Sequence, residues 1–138
     1  MTANVVAIQA AINAAAAVSG TVFIPAGTYY INAPLLMTEK QGMSIVGVSP
    51  ATSTINYVGA ASQSCILDMT GSQYYCLSNW QIQVHLSSAT VLCGLQLLGG
   101  ATVPTASTAN SFYRFHLSTP AGNETVGSRC SKGLVYAY

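Results

Sequence analysis

From Thr21 onward the chain is a succession of short apolar runs cut by glycine, proline, serine and asparagine, and no helical period returns. Thr21-Val22-Phe23-Ile24 is the first run, and Pro25-Ala26-Gly27-Thr28 turns the chain after it. Tyr29-Tyr30-Ile31, Leu35-Leu36-Met37, Met43 to Val48, Thr54 to Val58 and Cys65 to Met69 follow, with Ser49-Pro50 breaking the series after Val48. Runs this short, bounded by turn formers, read as β-strands. So many of them restrict the fold to an all-β sandwich, a barrel or a solenoid.

Repetition favours the solenoid. Leu77 to Leu86 is an alternating strand followed by Val91-Leu92-Cys93-Gly94-Leu95-Gln96-Leu97-Leu98. Ser111 to Ser118 is a second alternating strand, followed by Cys130-Ser131-Lys132-Gly133-Leu134-Val135-Tyr136. Gly94-Leu95 and Gly133-Leu134 lie 39 residues apart, while Ile82-Gln83-Val84 and Tyr113-Arg114-Phe115 lie 31 apart, a difference assigned to loop length. Trp80, Ile82, Val84 and Leu86 share one side of their strand; Gln81, Gln83 and His85 share the other. In the next unit Tyr113, Phe115 and Leu117 are expected on the core side and Arg114 and His116 outside. Stacking such units about 4.8 Å apart buries the apolar set as a column and leaves the polar set as an outward ladder.

Ahead of the strands, Asn4 to Val18 has a helical period. Val5, Ile8, Ile12, Ala15 and Ala16 fall on one face. Ser19-Gly20 is the stop, with Gly20 suited to the left-handed position after the last turn.

Charged residues make up 5% of the 138 residues and hydrophobic residues 51%, whereas ordinary globular chains carry about 25% charged residues. Disorder does not account for this, because disordered segments are apolar-poor and charge-rich. Nor does a membrane span, which needs about 20 mostly apolar residues. Lys40, Arg114, Arg129 and Lys132 are scattered and the net charge is +1, so no basic patch exists to neutralise phosphates and nucleic acid is not an expected partner. Cys65, Cys76, Cys93 and Cys130 show no CxxC spacing and no zinc-type cluster with histidine, so no metal and no cofactor is expected. They are expected to be buried, reduced thiols. No basic-then-apolar signal segment is visible at the N-terminus.

Ala7-Ile8-Gln9-Ala10-Ala11-Ile12-Asn13-Ala14-Ala15, followed by Gly20-Thr21-Val22-Phe23-Ile24-Pro25-Ala26-Gly27-Thr28-Tyr29, resembles the pectate-lyase-like right-handed parallel β-helix superfamily that includes phage tailspike depolymerases. Pro34-Leu35-Leu36 and Gly42 to Gly47 match the usual continuation, so the likeness is strong over residues 7–58 and only textural beyond. The resemblance implies an all-β, single-stranded right-handed solenoid with a capping α-helix over residues 4–20 and coils over 21–138. The aspartate-rich stretch that often precedes the helix in that superfamily is missing, and the sequence stops at Val135-Tyr136-Ala137-Tyr138, inside a strand-like run, as though truncated. The resemblance also implies a homotrimer and a virion or extracellular location.

Glycoside hydrolysis usually needs two carboxylates, and only Glu39, Asp68 and Glu124 exist, widely spaced. Glu39 and Glu124 read as solvated turn residues. Asp68 is the best acid candidate; His116 with Arg114 is a base-and-anion-clamp candidate for lyase chemistry. The polar ladder and the exposed-reading aromatics give the carbohydrate-binding candidates Tyr74, Tyr75, Gln83, His85, Arg114 and His116, since a ring with a polar tip suits wet contacts with sugars. The expectation is a β-helix module that recognises polysaccharide and is not catalytic on its own. The alternatives are the N-terminal part of a polysaccharide lyase or hydrolase, and a self-assembling structural subunit whose low charge opposes association little.

Overall fold

Alternating apolar residues ended by turn formers give ten strands and one helix in the computed structural model, which describes residues 3–38, 41–59, 65–84, 91–97, 110–118 and 130–136. Helix α1 spans Ala3–Ala17. The strands are β1 (Thr21–Ile24), β2 (Gly27–Ile31), β3 (Leu35–Leu36), β4 (Ser44–Gly47), β5 (Ser53–Tyr57), β6 (Cys65–Asp68), β7 (Cys76–Val84), β8 (Val91–Leu97), β9 (Ser111–Ser118) and β10 (Cys130–Tyr136).

Every strand pairing among the described residues is parallel. β1 pairs with β4, β2 with β5 and β3 with β6, so each round of chain lies in register on the one before. β7 pairs with β4 through its first residues and with β5 through its last, and β9 covers both parts of β7. This makes one bent sheet of six strands; β3, β6, β8 and β10 make a second sheet of four. The architecture is mostly β, parallel, curled and β-helix-like, with one helix.

Ile31, Leu35, Ile45, Ile55, Ile66, Leu67, Trp80, Ile82 and Leu95 are buried between the two sheets and the helix. Trp80 is fully buried; its indole N–H donates to Ile45 O at 3.2 Å, and its ring meets Phe115 edge-on at 4.7 Å. The helix lies on the first round, burying Val5, Ile12 and Ala15 with Ile8 and Ala16 partly covered, the face expected from the sequence. Gln9 seals an open strand edge: its Oε1 accepts from Leu36 N and its Nε2 donates to Leu36 O, both at 2.8 Å. Asn4 Nδ2 donates to Tyr30 O at 3.1 Å. These bonds satisfy edge groups that β1–β3 would otherwise leave unpaired.

Three local expectations change. The helix stop places Ser19, not Gly20, in the left-handed region (φ 52), and Gly20 N donates to Ala15 O at 2.8 Å. Tyr113, expected in the core column, is 62% exposed. Arg114 in β9 and Asn79 in β7 both have left-handed φ (50 and 60) and stand at equivalent register positions, since Ser78 pairs with Tyr113 and Trp80 with Phe115. A left-handed residue bends the strand and interrupts strict alternation, so Leu77 and Trp80 both point inward and Tyr113 is left outside. Finally, Leu95 pairs with Leu134, as the 39-residue offset requires, but Ile82 pairs with Leu117, an offset of 35 rather than 31. A shift by an even number of residues keeps every side chain on its face, so alternation alone does not distinguish the two registers.

Candidate functional site

The bent sheet presents an outward polar face beyond the bend at Asn79 and Arg114. Pairing of β2, β5, β7 and β9 aligns Thr28 with Thr54, Thr54 with Gln81, and Gln81 with His116. Two residues along, Tyr30 aligns with Asn56, Asn56 with Gln83, and Gln83 with Ser118. On the opposite side of the same strands Ile31, Ile55, Tyr57 and Ile82 are buried, so Thr28, Thr54 and Gln81 in one column and Tyr30, Asn56 and Gln83 in the other lie on the side of the sheet away from the core. Rows lie about 4.8 Å apart along the stack and columns about 6.6 Å apart along the strand.

The face is uncharged except at its last row. Gln81 Nε2 donates to Thr54 Oγ1 at 2.9 Å, tying adjacent rows. Tyr30 offers a ring that is 51% exposed; His116 and Arg114 are exposed on β9. Thr54 and Asn56 are 5% and 6% exposed, wedged between the rows on either side, and Asn56 Oδ1 accepts no hydrogen bond. The arrangement offers amide and hydroxyl donors and acceptors beside an aromatic ring, which is the chemistry that pairs with sugar hydroxyls and stacks on sugar C–H faces.

Of the residues expected at a site, Gln83 and His116 fall in this face and Arg114 at its margin. His85 lies outside the described residues, as do Glu39 and Glu124. Asp68 lies on the other sheet, in β6, so it forms no pair with His116. Its Oδ1 accepts from Thr70 N at 3.0 Å and from Thr70 Oγ1 at 2.6 Å, which holds the turn after the strand. Tyr74 is 63% exposed, in a left-handed turn (φ 58). Tyr75, expected beside it on the surface, is 1% exposed, which removes it as an external sugar contact. The turn at Tyr74 feeds Tyr75 into the interior side, one residue before the Ser44–Cys76 pair, where Met43 is buried as well. Burial raises the Tyr75 phenol above its ordinary range, and that of Tyr57 likewise; neither buried hydroxyl has a hydrogen-bond partner.

Thr28, Tyr30, Thr54, Asn56 and Gln81 belong to the face although the sequence did not single them out as binding residues. Their signal is parity: Thr28/Tyr30, Thr54/Asn56 and Gln81/Gln83 are polar or amphipathic pairs two residues apart, interleaved with partly buried Tyr29 and with buried Ile55 and Ile82. Among the described residues no cluster of histidine, cysteine and carboxylate is placed to hold a metal, and no helix is long and apolar enough to cross a membrane.

A family model described as rhamnogalacturonase A/epimerase, pectate lyase-like, matches residues 1–114. The match extends well past residue 58, where the sequence motifs end. No curated protein and no solved structure matches the chain.

Proposed function

The chain belongs to the rhamnogalacturonase A/epimerase, pectate lyase-like family, and on that premise we propose that it is a polysaccharide-recognising module that does not cleave its ligand by itself. In this reading the described rounds belong to a right-handed β-helix of a phage tailspike or another extracellular protein, assembled as a trimer, and the ligand is a host-surface glycan. The observation that carries the proposal is the outward face of Thr28, Tyr30, Thr54, Gln81, Gln83 and His116. It is built for hydroxyl-rich ligands, and no described carboxylate stands on it: Asp68, the one acid among the described residues, is on the other sheet and engaged by Thr70. A second reading, the N-terminal part of a polysaccharide depolymerase, is favoured by a family description that names enzymes.

The test is binding of the purified chain to a panel of bacterial capsular, lipopolysaccharide-derived and pectic polysaccharides by affinity electrophoresis, with product release followed in parallel. The expected result is retardation by at least one polysaccharide, loss of most of it in Gln81→Ala/His116→Ala, and no new reducing ends or unsaturated products. Binding unaffected by that double variant, or none at all, overturns the assignment of the face. Cleavage by the chain alone overturns the non-catalytic reading. Light scattering at three times the monomer mass is the expectation for the trimer, and a monomer at working concentration removes it.

A further inference from the structure

The register of the second sheet puts two cysteines face to face. Pairing of β6 with β8 sets Cys65 opposite Cys93, two residues before the Leu67–Leu95 pair. Cys65, Leu67 and Leu95 are each buried, and Cys93 stands in β8 two residues before Leu95, as Cys65 stands in β6 two residues before Leu67. Neighbouring parallel strands lie about 4.8 Å apart, inside the Cα separation of roughly 4.4–6.8 Å that a disulfide spans. The other two cysteines stand at positions of another kind: Cys76 pairs with Ser44 and Ser111, and Cys130 with Val91.

We propose that Cys65 and Cys93 are a redox-dependent staple, joined as a cross-strand disulfide when the chain meets an oxidising medium. Two thiols give up two electrons and two protons, a low-molecular-weight disulfide such as oxidised glutathione takes them up as two thiols, and one Sγ–Sγ bond forms. In a reducing cytosol the pair stays as thiols. The link closes the segment from residue 65 to residue 93, which contains β7 and with it Gln81 and Gln83 of the outward face. By restricting the unfolded chain it raises stability without altering the polar face. The inference rests on register and holds whether or not the face binds glycan.

The experiment is refolding of the full chain in a reduced/oxidised glutathione buffer, followed by intact mass, thiol titration in denaturant and chymotryptic peptide mapping. The expected product is lighter than the reduced chain by two hydrogens, retains two titratable thiols and links the peptides containing Cys65 and Cys93. Its urea midpoint is higher than that of the reduced protein. Cys76→Ser and Cys130→Ser leave the link in place, and Cys93→Ser abolishes it. Cys65→Ala does the same and guards against misfolding from a hydroxyl in the core. Four surviving thiols, a link to Cys76 or Cys130, or glutathione adducts in place of the internal bond each overturn the proposal.

Discussion

At the scale of single residues, close approach and orphaned polar atoms set the sharpest expectations. A methyl group at Gly47 would lie 2.3 Å from Asn79 O and 2.8 Å from the Cβ atoms of Ser53 and Trp80. Backbone and β-carbons do not swing aside, so Gly47→Ala forces β4 away from β7 at the bend. Overpacking of a tight interior costs roughly 1–3 kcal/mol and sometimes more, and the expectation here is at least the upper end, read as a lower urea midpoint with an unchanged slope. Tyr75 gives a pH-dependent test. The buried phenols of Tyr75 and Tyr57 titrate above their ordinary value of 10.0, so above that pH the unfolded chain releases protons that the folded chain retains. Stability is therefore complete below about pH 10 and falls as the pH rises beyond it. Tyr75→Phe removes a hydroxyl that has no partner, so it leaves stability at neutral pH unchanged or higher and flattens the alkaline loss. Urea unfolding at neutral pH and above pH 10 checks both statements, and a marked loss in the variant at neutral pH contradicts them.

At the scale of elements, the helix and the bend show what a sequence can and cannot carry. The helix was legible because the segment is rich in alanine and ends at Ser19-Gly20, with Val5, Ile8, Ile12 and Ala15 at helical spacing, and Val5, Ile12 and Ala15 are buried. The early strands were legible because turn formers bracket each run. What the helix does with Gln9 was not legible, since an exposed polar residue has no periodic signature. Its two bonds to the Leu36 backbone predict that Gln9→Ala opens the β3 edge to water, because these bonds lie at an exposed position. The expected cost is about 0.5–1.5 kcal/mol per bond lost, together with faster amide exchange at Leu36, whereas Gln9→Glu keeps only the acceptor and rescues part of the loss. Exchange at Leu36 unchanged in Gln9→Ala would show that the edge is sealed some other way. The bend escaped the sequence for a different reason. Asparagine tolerates left-handed backbone, but arginine rarely signals it, and strict alternation through Arg114 put Tyr113 in the core; the four-residue difference in the register of β9 is an even shift that alternation does not detect. Tyr74 and Tyr75 follow the turn formers Thr70-Gly71-Ser72, which point to a surface pair, but left-handed Tyr74 is the exposed one and Tyr75 enters the core.

At the scale of the whole molecule, the scarcity of charge separates two ways in which the polar face can hold a polysaccharide. The chain carries four lysines and arginines against three acids, and among the described residues Arg114 is the cation at the margin of the face. If amides, hydroxyls and the Tyr30 ring supply the contacts, the ligand is gripped by short-range hydrogen bonds and stacking, which salt barely screens. If Arg114 holds an anionic group, the grip weakens with salt, because this residue is exposed and the screening length falls from roughly 30 Å at 0.01 M to roughly 3 Å at 1 M. Two mostly neutral columns spanning four rounds outweigh one charged row at the end, so the first behaviour is expected. Affinity should change by less than about fivefold across that range, since exposed pairs contribute only about 0–1 kcal/mol. Tyr30→Ala should then weaken binding more than Arg114→Gln. The opposite ordering, with affinity collapsing in salt, would move the recognition element from the columns to the last row and make the partner an acidic glycan.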